Sequence, residues 1–163
     1  MDHCFGRIDL VTLATIAVSV VNAALFAPSA RAAENTWIKM EFDPGADKCL
    51  TARTNELSSG RWGVRGEECR WGDRFQLWDR RGANIVKAYT NQCLDGNWNG
   101  EVYYMEYNGG DYQKWNYTQS GHGLLVKNAA TGRLLSTDEF GWFVTTQSVD
   151  MGWTSRWEFS GGE

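Results

Sequence analysis

Apolar residues in this chain come in short runs, not in long stripes. Ile85-Val86-Lys87 and Leu125-Val126-Lys127 are brief apolar segments bounded by Gly, Asn and Thr, and Val102-Tyr103-Tyr104-Met105 is β-branched and aromatic. Turn residues punctuate them at Ser59-Gly60, Asn99-Gly100, Asn108-Gly109-Gly110 and Thr131-Gly132. Such a pattern predicts short strands joined by tight turns. Beyond residue 32, no window of about 11 residues keeps a helical period. The pattern therefore predicts an all-β chain.

The pattern also repeats. Lys48-Cys49-Leu50, Gln92-Cys93-Leu94 and Arg133-Leu134-Leu135 open three similar stretches. A valine follows in each (Val64, Val102, Val144), and five residues later comes Cys69, Tyr107 or Val149. Each stretch closes on a tryptophan, Trp78, Trp115 or Trp157, spaced 37 and 42 residues apart. A period of roughly 40 residues means one architectural unit used three times. Gln76 and Gln113 lie two positions before the first two of these tryptophans, and Ser155 takes that place in the third.

The Q-x-W pattern has a physical reading of its own. An indole is large, and its N–H needs a partner when buried. Three indoles at equivalent positions can pack around a pseudo-three-fold axis into one core. A glutamine two positions earlier is expected on the same strand face, its amide satisfying backbone groups near the turn. The motif reads as scaffold, with Trp78, Trp115 and Trp157 buried.

These residues resemble the ricin B-type (R-type) lectin family. Cys93-Leu94-Asp95, then Val102, Asn108-Gly109-Gly110 and Gln113-Lys114-Trp115 look like its sequence of C-L-D, valine strand, N-G-G and Q-x-W. Gln76-Leu77-Trp78 is a second Q-x-W, and Ser155-Arg156-Trp157 a degenerate third. The resemblance spans Trp37 to Phe159 and implies a β-trefoil of three ~40-residue repeats. It also implies a disulfide between Cys49 and Cys69, because the family commonly pairs those two positions within one repeat. Cys93 then lacks a partner, its counterpart being Tyr107. Two readings of Cys93 stand: a buried thiol acting as a small hydrophobe, or an intermolecular bridge.

Residues 1–32 read as a secretory signal. Val11 to Val21 is almost wholly apolar, and Ala30-Arg31-Ala32 is a small-x-small cleavage site, although Asp2 and Asp9 are unusual in such a leader. The apolar run is short for a membrane span; an uncleaved anchor is the alternative reading. Export implies a secreted, extracellular protein of residues 33–163, forming one ricin B-like β-trefoil domain, with no membrane span after cleavage. The leader holds two basic and two acidic residues, so the net charge of −4 belongs to the remainder. That balance argues against a nucleic-acid role, which normally needs a basic face. Asn116-Tyr117-Thr118 is a glycosylation sequon if the host is a eukaryote.

The sequence carries no readable catalytic constellation, and the expectation is a protein that is not an enzyme and needs no cofactor or metal. Beyond residue 32 it has one histidine, His122, between Gly121 and Gly123. It contains no H-E-x-x-H, no G-x-S-x-G and no phosphate-cradling loop. The acidic pairs Glu67-Glu68 and Asp138-Glu139 read as solvated surface, although paired-carboxylate glycoside hydrolysis stays open on sequence alone.

Sugar recognition needs an aromatic platform and a few fixed polar groups. In the family resembled, these are the Asp of C-L-D, an aromatic two residues before the second cysteine position, and an Asn before the Gln. Repeat one offers Thr51, Glu67 and Phe75 at those positions, and repeat three Ser136, Gln147 and Thr154. Only repeat two keeps the carboxylate, Asp95, with Met105 and Tyr112 in the other places. The candidate ligand-binding set is therefore Asp95, Trp98, Tyr103, Met105, Tyr107, Asn108, Tyr112 and Gln113. Strand alternation places Tyr103, Met105 and Tyr107 on one face and Tyr104 on the other. The competing reading of Asp95 is a turn-capping carboxylate beside Gly96.

Two functions follow. One is a non-catalytic, lectin-like module binding a glycan or glycoconjugate weakly through repeat two. The other is a trefoil that has lost its sugars and serves as a protein-docking or adaptor subunit of a secreted, toxin-like complex. The second would show Trp62, Trp71, Trp98, Trp142 and Trp153 as a clustered, exposed patch. A protease-inhibitor trefoil is a third possibility without a readable loop.

Overall fold

A computed structural model describes residues 33–40, 47–58 and 60–161. The signal-like segment, with Cys4, lies outside the described residues. Each repeat supplies four strands. Repeat one gives β1 (Ala33–Met40), β2 (Lys48–Ser58), β3 (Arg61–Glu68) and β4 (Trp78–Arg81). Repeat two gives β5 (Asn84–Lys87), β6 (Gln92–Gly96), β7 (Val102–Glu106) and β8 (Trp115–Ser120). Repeat three gives β9 (Gly123–Asn128), β10 (Leu134–Thr137), β11 (Val144–Gln147) and β12 (Trp157–Gly161). The helical content of the described residues is one short 3-10 turn before the last strand of each repeat: Arg74–Gln76, Asp111–Gln113 and Gly152–Ser155.

The outer strands of the repeats form a ring. β1 pairs with β4 and β12, β4 with β5, and β9 with β8 and β12, all antiparallel. Between β5 and β8 the ring narrows to one bridge, Asn84 with Lys114, reinforced by Trp115 N to Ala83 O and Asn84 Nδ2 to Gln113 O, both 2.8 Å. β1 shows the two-residue period that builds the inside of the ring: Thr36, Ile38 and Met40 are buried and the residues between them are not.

The inner strands form three hairpins, β2–β3, β6–β7 and β10–β11. The hairpins lean on one another like a pinwheel. The start of β3 packs on β7, with Trp62 opposite Tyr104. The tip of β6–β7 reaches β11 through a Glu101–Thr145 bridge. The tip of β10–β11 returns to β3, where Gly66 N donates to Trp142 O at 3.0 Å. Gly66 is required there: a Cβ would lie 1.6 Å from the Gly141 carbonyl oxygen. The architecture is a β-trefoil, as the resemblance implies.

Trp78, Trp115 and Trp157 are fully buried in one core. Their indole N–H groups donate to Leu50 O, Leu94 O and Leu135 O at 2.8, 3.1 and 2.9 Å. Each acceptor is the third residue of the tripeptide that opens its own repeat. The glutamines do not share a strand face with the tryptophans, as alternation suggested; each ends the 3-10 turn before the strand. Their amides do satisfy the backbone. Gln76 accepts from Arg70 N and donates to Glu68 O, both at 2.8 Å. Gln113 accepts from Asn108 N at 2.9 Å and donates to Glu106 O at 3.0 Å. Ser155 keeps half of this role, accepting from Met151 N at 3.2 Å.

Cys49 and Cys69 are joined in a disulfide, their Cα atoms 5.1 Å apart. Closing this loop stabilises the fold by roughly 3 kcal/mol in the chain-entropy model. Cys93 is a free, buried thiol, and burial pushes its pKa up to about 11. That is the small-hydrophobe reading; a sulfur so enclosed offers a second chain no approach. Cys93 is therefore expected to resist alkylation in the native protein and to react on unfolding, followed by intact mass. Gln113→Ala removes the two bonds its buried amide makes to Asn108 N and Glu106 O, and is expected to cost roughly 1–3 kcal/mol in urea melts.

Candidate functional site

The β6–β7 register puts Asp95 opposite Tyr103 and Cys93 opposite Met105. Leu94 and Tyr104 point the other way, into the core, where Tyr104 stacks on Trp62 at 5.8 Å and meets Trp78 edge-on at 6.1 Å. Asp95 sits on a strand and not in the turn. The turn is capped by Asn97, whose Oδ1 accepts from Asn99 N at 3.0 Å and Glu101 N at 3.1 Å. Gly96 beside Asp95 makes room for the core: a Cβ there would lie 2.9 Å from the Trp115 ring.

A concavity of about 470 Å3 opens over this face, lined by Arg61, Asp95, Asn97, Trp98, Asn99, Glu101, Tyr103, Met105, Asn108 and Tyr112. Six of the eight residues singled out from sequence line it. Asp95 is only 3% exposed, on the floor. Trp98, 62% exposed, stands on the Asn97-capped turn, and Tyr112 is carried by the 3-10 turn opposite. Asn108 folds its own loop, accepting from Gly110 N at 2.8 Å.

Two of the eight are placed elsewhere. Tyr107 does not join Tyr103 and Met105 on one face. β7 ends at Glu106, and Tyr107 N turns to Asn91 O at 2.9 Å, leaving an exposed ring outside the lining. Gln113 is wholly buried and committed to the scaffold bonds described above.

Arg61 was missed. It belongs to repeat one, and the pinwheel packing of β3 on β7 carries it into the pocket of repeat two. Its guanidinium lies over the Tyr103 ring, 4.6 Å from the centroid. Reading each repeat by itself cannot find it, because the residue and the pocket lie in different copies.

The equivalent positions of the other repeats are tied to the scaffold. Thr51 Oγ1 accepts from Gln76 Nε2 at 3.1 Å, and Ser136 Oγ shares a 2.7 Å bond with Ser155 Oγ. Asp95 is different. Its Oδ1 is buried with no hydrogen-bond partner among the described residues, beside the Tyr103 phenol that faces it across the β6–β7 pair. Burial raises the Asp95 pKa, against the lowering influence of Tyr103 and Arg61. Burial, then Asp95 itself, raises the Tyr103 pKa. The arrangement is a carboxylate acceptor in search of donors, under an aromatic rim.

Four of the five surplus tryptophans have distinct surroundings. Trp62 is partly buried against Tyr104. Trp71 is exposed and meets Trp37 edge-on at 5.9 Å. Trp142 lies under the Lys48 ammonium at 3.8 Å, and Trp98 belongs to the concavity.

No protein-family model matches the chain, and no curated protein matches it in sequence. Solved structures do match. A designed three-fold symmetric protein, ThreeFoil, superposes with a TM-score of 0.63 at 21% identity, over 77% of this chain and 96% of that one. The β-trefoil lectin of the Vibrio vulnificus hemolysin/cytolysin, solved with N-acetyl-D-lactosamine bound, gives 0.61 at 19%, over 82% and 97%. The Polyporus squamosus lectin, bound to the epitope Neu5Aca2-6Galb1-4GlcNAc, gives 0.61 at 17%, over 78% of this chain and 49% of that one. At such identities the likeness establishes the fold, and the chain is a β-trefoil of the architecture these lectins use.

Proposed function

We propose that this chain is a secreted, non-catalytic carbohydrate-binding module of lectin type, working through repeat two. The observation that carries the reading is the unbonded Oδ1 of Asp95 on the floor of an aromatic-rimmed concavity. A sugar presents hydroxyl donors at its edge, which suit a buried carboxylate, and a C–H face, which suits Trp98 or Tyr112. Two of the matched lectins were solved with saccharides bound, which agrees with this reading. The Cys49–Cys69 disulfide supports export to an oxidising compartment. No helix among the described residues is long and apolar enough to cross a membrane.

With one carboxylate site, binding to a neutral glycan is weak and monovalent. A glycan array followed by calorimetry on the best ligand tests the reading. Asp95→Asn keeps the shape and removes the charge, and is expected to lower affinity about tenfold or more while the melting transition stays in place. Undiminished binding by that variant would move the site elsewhere. Binding requires ionised Asp95, whose pKa is raised by burial. Affinity is therefore full above that raised pKa and falls as pH drops through it, at a higher pH than for an ordinary aspartate. Asp95→Asn should flatten this pH profile.

The exposed Leu57 and Phe143, flanking a second depression of about 390 Å3, favour the docking reading as the alternative. Affinity capture from the producer's secretions separates the two. A protein partner retained in millimolar sugar and lost on Phe143→Ala supports docking; release of glycoconjugates by simple sugars supports the lectin.

A further inference from the structure

Repeat one carries a cluster of opposite chemistry at the place equivalent to the repeat-two pocket. Glu67, with a side chain 9% exposed, accepts at Oε1 from Arg53 Nη1 and Arg65 Nε, both at 2.5 Å, and at Oε2 from Arg70 Nη2 at 2.9 Å. Arg70 also donates to Asp73 Oδ2 from Nη2 at 2.7 Å and from Nε at 3.0 Å. Burial acts to raise the Glu67 pKa, but the three guanidiniums outweigh it and hold the carboxyl below its ordinary value.

The cluster is unbalanced. One carboxylate is matched by one guanidinium in a two-point fork. Among the described residues, Arg53, Arg65 and Arg70 pair with Glu67 and Asp73 alone, so three positive charges meet two negative ones there. Each guanidinium carries five N–H donors, and most of these are used by neither carboxylate. The three side chains are 39%, 45% and 54% exposed, so their remaining donors are open to a ligand. Arg53 and Arg70 line a concavity of about 180 Å3 together with Thr54, Glu67 and the Phe75 ring. It pairs an aromatic surface with cationic donors at the position where repeat two pairs an aromatic rim with a carboxylate.

We propose that this concavity is a second binding site, selective for a saccharide that bears a carboxylate or a sulfate ester. The anionic group takes the spare donors of Arg53 and Arg70, and the sugar ring lies against Phe75. The chain then holds two sites of opposite preference: a neutral, hydroxyl-rich saccharide at Asp95 and an acidic one at Arg53.

The test is calorimetry and NMR on the described fold with a sulfated disaccharide, its unsulfated counterpart and inorganic sulfate. The sulfated disaccharide is expected to bind, to weaken as salt rises, and to shift the side-chain Nε–H signals of Arg53, Arg65 and Arg70 but not the Trp98 indole signal. Arg53→Gln with Arg70→Gln is expected to lower this affinity about tenfold or more. Since that variant strips Glu67 of two partners, Glu67→Gln provides an independent check: it preserves the shape, removes the opposing charge and should tighten binding. Equal binding of the sulfated and unsulfated sugars, or shifts confined to Trp98, overturns the proposal. Inorganic sulfate binding as tightly as the disaccharide overturns its saccharide part. Asp95→Asn should leave the sulfated ligand unaffected, so failure at one site is distinguishable from failure at the other.

Discussion

Three indole N–H groups, each donating to a carbonyl of the strand that opens its own repeat, hold the trefoil together. A buried indole must find an acceptor, and the one it finds joins the last strand of a repeat to the second. Trp78 reaches Leu50, Trp115 reaches Leu94 and Trp157 reaches Leu135. The bond does two things at once. It satisfies the donor in the core, and it pins the hairpin to the ring at a fixed height. With Leu94 facing inward to serve this bond and the core, its neighbour Asp95 must face outward. The candidate site is thus a by-product of the core.

The same constraint explains what each repeat can afford to vary. The residue after the pinned leucine is Thr51, Asp95 or Ser136. In repeats one and three the closing motif reaches across and bonds that residue, through Gln76 or Ser155. In repeat two, Gln113 makes the matching bonds to Asn108 and Glu106 but none to Asp95, which keeps an unbonded oxygen among the described residues. A buried carboxylate without full partners costs stability, and such costs concentrate at functional sites. Repeat one resolved the same surface differently, filling it with guanidiniums around Glu67. The equivalent position thus holds a scaffold-bonded hydroxyl in repeats one and three and a carboxylate in repeat two.

The pinwheel contact between hairpins makes the repeat-two site a joint product of two repeats. Arg61 enters the repeat-two concavity from the preceding repeat, because β3 packs along β7. Gly66 and the Gly141 carbonyl show how closely these hairpins approach. A change at one hairpin tip therefore alters the pocket of its neighbour as well as its own.

The all-β class, the three repeats and the three core indoles were legible in the sequence, because each depends on local chemistry. Short apolar runs between turn residues can form only short strands, and an indole recurring near every 40 residues has to serve one shared core. Asp95 was singled out through the likeness of Cys93-Leu94-Asp95 to the C-L-D of the family resembled, and the β6–β7 register sets it opposite Tyr103. The rest was decided in three dimensions. Alternation assigned Tyr107 to the pocket face, but the strand stops at Glu106, and where a strand stops depends on its partners. It also assigned the glutamines to strand faces, whereas a 3-10 turn places them. Arg61, and the convergence of Arg53, Arg65 and Arg70 on Glu67, lie beyond any reading along the chain. They arise from contacts between strands and between repeats, and only the closed trefoil brings those residues together.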